Sequence, residues 1–268
     1  MTTHGTALIT GASSGIGAAY ARRLASLGHD VILVARRQGH LATIAAELQR
    51  GHNVRAEILP ADLADRSDLE RVERRTADLP DLEFLINAAG FGIAGAFAET
   101  DLQKHLKMID CHVVASVRLC HAALPGMIAR RRGAIINVSS IGAFLPKRWD
   151  TTYCATKAYL KVFSEALQAE LHGTGVRVQA LCPGLTLTEF HDSPEYAGFH
   201  IKTSVPRALW MTADEVVASS LKALGHGPVV VIPGLKNRFL ILAFKLPTKA
   251  LLRWTAARRM RGRTPSAS

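Results

Sequence analysis

The 268-residue chain has few cysteines, few aromatic residues and, toward its end, no acidic residues. Its four cysteines (Cys111, Cys120, Cys154 and Cys182) contain no C-x-x-C pair. They fit neither a disulfide framework nor a zinc site, so a reducing compartment is expected. No apolar run approaches the ~18 residues that a spanning helix needs. The longest, Phe239 to Phe244, is cut short by Lys245 and Pro247. The opening Met1-Thr-Thr-His-Gly5 lacks the basic-then-apolar layout of a signal peptide, and the expected location is the cytoplasm. Apolar residues at 48% and charged residues at 21% exclude wholesale disorder. A chain of this length also needs no disulfide staples.

The acidic shortage is local. From Val216 to Ser268 there are ten Lys or Arg and no Asp or Glu, whereas the first 215 residues carry 23 basic against 22 acidic groups. Ten of the eleven net positive charges therefore belong to the last fifth of the chain.

What is present is alternation. Short aliphatic runs at Thr6–Thr10, Asp30–Ala35, Val54–Leu59, Glu83–Asn87, Ala134–Val138, Arg177–Leu181 and Val229–Ile232 read as strands. Amphipathic stretches near 16–27, 39–50, 65–77, 101–131, 152–172 and 212–224 read as the helices between them. Wholly apolar strands separated by helices predict a doubly wound α/β fold, a Rossmann-like parallel sheet of about seven strands covered on both faces. The expected organisation is a single catalytic domain over 1–234, including a lid at about 185–211, followed by a basic amphipathic extension over 235–268.

The first strand runs straight into Thr10-Gly11-Ala12-Ser13-Ser14-Gly15-Ile16-Gly17, and a helical pattern follows. Glycines there admit close approach of a diphosphate, and a helix start offers free N–H groups and a positive dipole end. The plain alternative is a tight turn that merely favours glycine. After the second strand, where a carboxylate would accept the ribose 2′-OH of NAD, the chain carries Arg36 and Arg37. Two arginines suit a 2′-phosphate, so NADP(H) is favoured over NAD(H). They also suit a solvated loop.

Tyr153 and Lys157 stand one turn apart near the start of a long helix. A neighbouring ammonium lowers a phenol's pKa, which fits tyrosine for proton transfer to a carbonyl oxygen or from an alcohol. Ser140, 13 residues earlier and just past the fifth strand, adds a hydroxyl at the carboxyl edge of the sheet.

With these motifs the chain resembles the short-chain dehydrogenase/reductase family over residues 6 to about 234. Thr10-Gly-x-x-x-Gly-Ile-Gly17, Asp62-Leu63, Asn87-Ala-Ala-Gly90, Ser140, Tyr153-x-x-x-Lys157 and Pro183-Gly184 with Thr188 occur in family order and spacing. The resemblance implies that Asp62 contacts the adenine and Asn87 steadies the central strand. It implies that Lys157 also holds the nicotinamide ribose and that Thr188 meets the carboxamide. Ser140 would orient the substrate oxygen, with Tyr153 as acid/base. A homodimer or homotetramer built on the helices near 101–131 and 152–172 is implied as well.

One position departs from the family. Where an asparagine usually holds a water in the proton relay, this chain has His112. Imidazole can donate and accept, so it replaces the relay, or else it is a satisfied core histidine. The departure keeps a rival in view, a non-catalytic NADP(H)-binding redox sensor or a membrane-associated regulatory protein.

The lid holds Phe190, Tyr196 and Phe199, and neighbouring loops hold Phe91, Phe144 and Trp149. These aromatics line an apolar pocket for a hydrophobic ketone or aldehyde, or only pack the lid onto the body. The lid proper has no Arg or Lys before Lys202, which argues against a small acidic substrate. In the tail, Lys245, Lys249 and Arg253 recur every four residues beside Leu251, Leu252 and Trp254, with Pro247 expected to divide two helices. That pattern suits the surface of an anionic membrane, or a helix pair covering the domain or a subunit contact. No groove-reading motif accompanies the charge, so nucleic acid is not an expected partner.

Overall fold

Uninterrupted apolar strands stay in place only when both faces of their sheet are covered, and here they are. The computed structural model describes residues 4–192, 201–225 and 227–245. Seven strands form one parallel sheet in the order β3-β2-β1-β4-β5-β6-β9. They are β1 (Thr6–Thr10), β2 (Asp30–Ala35), β3 (Ala56–Pro60), β4 (Leu82–Asn87), β5 (Gly133–Val138), β6 (Val176–Leu181) and β9 (Val230–Val231). The inner strands β1 and β5 are buried along their whole length. β3 lies at the edge, is only half-buried and ends on Pro60, which an edge strand tolerates because no neighbour needs its missing N–H.

Each face carries its own core. On one side α1 (Gly15–Ser26), α2 (Gln38–His52) and α8 (Ala213–Leu224) seal Ile9, Leu33 and Ile86 beneath Tyr20, Leu24, Leu41 and Val216. On the other, α3 (Arg66–Ala77) and α5 (Ala115–Ala129) supply Leu69, Val72, Leu119 and Met127 over Leu8, Leu85 and Ile135, and α6 (Thr151–Glu170) packs Phe163 and Leu167 against them. Each fully buried Leu or Ile contributes about 1.5–3 kcal/mol relative to exposure. A polar seam joins the last layer: Tyr20 donates to Ser220 Oγ at 2.5 Å, and Ser220 donates to Gln179 of β6.

The strand order reverses between β1 and β4, whose ends meet at the register pair Thr10 and Asn87. Thr10 Oγ1 there accepts from the N–H groups of Ala88 and Ala89 at 3.0 and 3.1 Å. The crevice beyond such a switch point is where open α/β sheets take ligands.

Two features differ from the sequence expectation. The long helix expected over 101–131 is α4 (Leu102–Ile109), a π-helical turn (Asp110–Val114) and α5 in continuous succession. The whole run, Leu102–Ala129, is long and apolar enough by length and composition to cross a membrane, although no single apolar run of the sequence suggested one. Here α5 packs on α3 and β4 as part of the core. Second, the lid has secondary structure: β7 (Thr186–Leu187) pairs in parallel with β8 (Met211–Thr212), and a 3-10 turn (Glu189–Asp192) and α7 (Ile201–Ser204) lie between. Two-residue strands are too short to leave a period in sequence. The tail begins as α9 (Leu235–Lys245), whose first turns contact the domain, in keeping with one of the two alternatives the sequence left open. Ile241 is buried, Asn237 Nδ2 donates to Pro233 O at 2.8 Å, and Lys236 Nζ donates to Ala208 O at 2.8 Å. The division expected at Pro247 lies outside the described residues, as do Tyr196 and Phe199.

Candidate active site

The glycine loop is shaped so that each glycine is required. Gly11 and Gly15 adopt φ +67° and +56°, a region costly for other residues. A Cβ on Gly17 would lie 2.3 Å from Gly11 O, and one on Gly11 would lie 2.8 Å from Ala88 O. At the head of α1, Ser14 makes no side-chain capping bond, and the first turn has no acidic residue. The N-terminal N–H groups and the positive dipole end therefore face the crevice, which fits the diphosphate of a dinucleotide. Ile16 packs against the core behind them.

Arg36 and Arg37 are exposed at the end of β2. Arg37 Nε and Nη2 donate to Ser13 Oγ at 3.3 and 3.0 Å, and its Nη1 donates to Glu189 Oε2 of the lid at 2.8 Å. Asp62 Oδ1 accepts from Ala64 N at 3.1 Å, and Leu63 is buried beside it. Asn87 is buried and donates to Asn137 Oδ1 on the adjacent strand at 2.8 Å, which in turn donates to Ser164 of α6 at 2.9 Å. Pro183 O accepts from Ile141 N at 2.9 Å. Gly184 is crowded from the far side, since a Cβ there would lie 2.4 Å from Asn237 Oδ1 of α9. Thr188 reaches down to the glycine loop, where a Cβ on Gly15 would lie 3.0 Å from its methyl.

Ser140, Tyr153 and Lys157 converge over the ends of β5 and α6. Ser140 Oγ accepts from Gly142 N at 3.0 Å and caps a short 3-10 turn, which fixes its χ1. Burial pushes the Tyr153 phenol up to about 12, and a hydrogen bond with Ser140 pulls it partly back. Burial holds the Lys157 ammonium down at about 8, and its Nζ donates to Val138 O at 2.9 Å while lying 5.6 Å from the Tyr153 ring centroid. At the phenol, then, desolvation dominates. The i, i+4 spacing to Lys157 alone implies the opposite sign.

His112 sits in the π-helical turn and is buried. Its Nε2 accepts from Phe91 N at 3.1 Å, so the proton is on Nδ1, which donates to Thr156 Oγ1 at 2.9 Å. Thr156 donates onward to Tyr153 O at 2.9 Å. Burial, and then the charge of Lys157, hold the imidazole pKa well below its ordinary value, keeping it neutral. Both ring nitrogens are thus committed to protein partners.

The apolar wall is partly assembled. Phe190 of the lid lies 5.7 Å from the Tyr153 ring, and Phe91 lies 5.8 Å from His112. Phe144 instead lies beneath Lys161 at 5.5 Å, and Trp149 is exposed at the rim with Arg148 over its ring. Lys202, the first cation of the lid, is held by Asp192 at 2.5 Å. Thr156, Glu189 and Asn237 were not singled out in sequence. Thr156 stands within the Tyr-x-x-x-Lys interval, but Glu189 and Asn237 join the site only through long-range folding.

Comparison with known proteins agrees with this fold. Residues 5–195 match the family model described as short chain dehydrogenase. A short-chain dehydrogenase from Sphingobium yanoikuyae, solved in complex with NADPH, is 34% identical with a TM-score of 0.80, covering 98% of both chains. The bulky-bulky ketone specific alcohol dehydrogenase from Comamonas testosteroni is 30% identical with a TM-score of 0.78, covering 100% of this chain and 98% of that one. Serine 3-dehydrogenase from Agrobacterium fabrum is 38% identical over 192 residues, 69% of this chain and 74% of its own. On the family match and these identities, the chain belongs to the short-chain dehydrogenase/reductase family of oxidoreductases.

Proposed function

We propose that the protein interconverts a hydrophobic ketone or aldehyde and its alcohol with NADP(H). The observation that carries the reading is the convergence of Ser140, Tyr153 and Lys157 beneath Phe190, beside a glycine loop built for a diphosphate. NADP(H) rather than NAD(H) is supported by Arg36 and Arg37 at the end of β2 and by the NADPH complex of the Sphingobium relative. The glycine loop with Ser13, Ser14 and Ile16 would hold the diphosphate, Arg37 with Ser13 the 2′-phosphate, Asp62 and Leu63 the adenine, and Thr188 with Pro183-Gly184 the nicotinamide end. When bound, the cofactor supplies or accepts a hydride at the carbonyl carbon.

The chain's own residues manage the proton. Ser140 donates a hydrogen bond to the substrate oxygen, and Tyr153 delivers its phenolic proton to that oxygen in reduction or takes it back in oxidation. Lys157 supplies positive charge to the developing phenolate. His112, with both nitrogens occupied, positions rather than relays: it ties the Phe91 loop through Thr156 to the main chain at Tyr153. The Phe91 and Phe190 walls favour apolar substituents on the carbonyl, and pairing of Lys202 with Asp192 leaves that cation engaged rather than offered to a carboxylate.

Two further surfaces belong to this reading. Ile109, Val114, Tyr159 and Val162 are exposed on the long helices and suit a homodimer or homotetramer contact. On α9, Leu235, Phe239 and Leu242 form an exposed stripe at i, i+4 and i+7 within a segment of purely basic charge, which suits peripheral contact with an anionic membrane. The test of the central proposal is NADPH oxidation, followed by absorbance, against a panel of bulky ketones and aldehydes. Turnover supports it. NADPH binding with no turnover across the panel would move the weight to the sensor reading.

A further inference from the structure

Arg37 and Glu189 stand 152 residues apart in sequence, yet Arg37 Nη1 donates to Glu189 Oε2 at 2.8 Å. The other edge of the guanidinium is taken by Ser13 Oγ. The arginine therefore bridges the glycine loop and the lid. Glu189 opens the short turn whose next residue, Phe190, lies against Tyr153, and whose last, Asp192, is tied to Lys202. A lid carboxylate thus occupies the side chain best placed to recognise a 2′-phosphate.

A 2′-phosphate presents nearly two negative charges to the same planar donors. A guanidinium has five N–H groups, three of which are already in use, and a carboxylate left on its edge would stand against the arriving phosphate. We propose that Glu189 is a specificity-determining residue that competes with the cofactor's 2′-phosphate for Arg37. NADP(H) displaces the lid carboxylate, whereas NAD(H), with a free 2′-OH, leaves the pair intact. Glu189 therefore narrows the preference that Arg37 creates. Both side chains are about half exposed, at 42% and 55%, so the competition is modest. This inference rests on Arg37 reading the 2′-phosphate, and its test separates the two.

The full chain is compared with Glu189→Gln, Arg37→Ala and the double variant, measuring dissociation constants for NADPH, NADH, 2′,5′-ADP and 5′-AMP. In Glu189→Gln, NADPH and 2′,5′-ADP should bind about two- to five-fold more tightly, with NADH and 5′-AMP unchanged. Arg37→Ala should weaken NADPH by about ten-fold or more, and adding Glu189→Gln should then change nothing. If Arg37→Ala leaves the NADPH-to-NADH ratio intact, the assignment of Arg37 and the role of Glu189 fall together. If Arg37→Ala collapses that ratio while Glu189→Gln leaves it unchanged, only the role of Glu189 falls. Weaker binding of both dinucleotides in Glu189→Gln also overturns it, making the residue a clamp over the cofactor.

Discussion

His112 Nδ1 lies 2.9 Å from Thr156 Oγ1, and that hydroxyl donates to the main-chain carbonyl of Tyr153 at the same distance. With Nε2 accepting from Phe91, the imidazole is a neutral bracket between the loop after β4 and α6. A proton on Nε2 would break the Phe91 bond inside a buried site. The folded pKa therefore lies well below 6.5, while the unfolded chain protonates near that value. Above pH 6.5 the group is neutral in both states and contributes no penalty. As pH falls below 6.5 the unfolded state binds the extra proton, and stability should drop by about 1.4 kcal/mol per pH unit relative to His112→Asn. Urea unfolding of both proteins from pH 7.5 to 5 measures this difference, and parallel curves would refute it.

The same ring limits Gly90, where a Cβ would lie 2.8 Å from His112 Nε2. Gly90→Ala should cost about 1–3 kcal/mol and lower turnover by moving the Phe91 loop. Coupling it to His112→Asn, whose side chain is shorter, should recover part of that cost. A double-mutant cycle on thermal unfolding reads the coupling, and strict additivity would count against direct contact.

Tyr153→Phe removes the proposed proton carrier without removing the ring that Phe190 lies against. Turnover should fall by about three orders of magnitude, with NADPH affinity changed less than about two-fold. Stopped-flow single turnovers beside equilibrium fluorescence titration separate the two. A parallel loss of cofactor affinity would mean that the phenol's chief role is binding.

Lys157 is buried at a cost to stability. Its ammonium is buried, and its proton leaves at about 8 instead of 10.5. That difference costs the folded state about 3 kcal/mol wherever lysine is charged in both states, below pH 8. The penalty shrinks between pH 8 and 10.5 and vanishes above. Lys157→Met should abolish turnover yet raise stability by about 1–3 kcal/mol at pH 7, the unpaired Val138 carbonyl offsetting part of the gain. The advantage should fade by pH 10, as shown by unfolding curves at both pH values.

Sequence period and motif order made the seven-stranded sheet, the glycine turn and the Ser140, Tyr153 and Lys157 group legible, because each rests on contacts within one element or on a family-specific spacing. The lid and the tail were less readable. A pairing of Thr186–Leu187 with Met211–Thr212 uses two residues a side, too few for a pattern. Glu189 meets Arg37, and Asn237 meets Gly184, only after the chain has folded. The protonation balance at Tyr153 was also beyond the sequence, since spacing shows the nearby lysine but not the burial that raises the phenol's pKa.

The exposed stripe on α9 separates two fates for the basic tail. Leu235 and Phe239 are each 70% exposed, with Leu242 beside them, and the charge of that region has one sign. Two copies meeting through this face would bring like charges together, whereas an anionic lipid surface supplies the opposite charge. The protein should therefore cosediment with vesicles containing phosphatidylserine, less so with neutral vesicles, and binding should weaken as salt rises. Phe239→Glu with Leu242→Glu should release it while leaving reduction of a water-soluble ketone intact, because both side chains are exposed on α9. Should those substitutions instead split an oligomer on size exclusion, with vesicle binding absent throughout, the stripe is a subunit contact and the membrane reading is wrong.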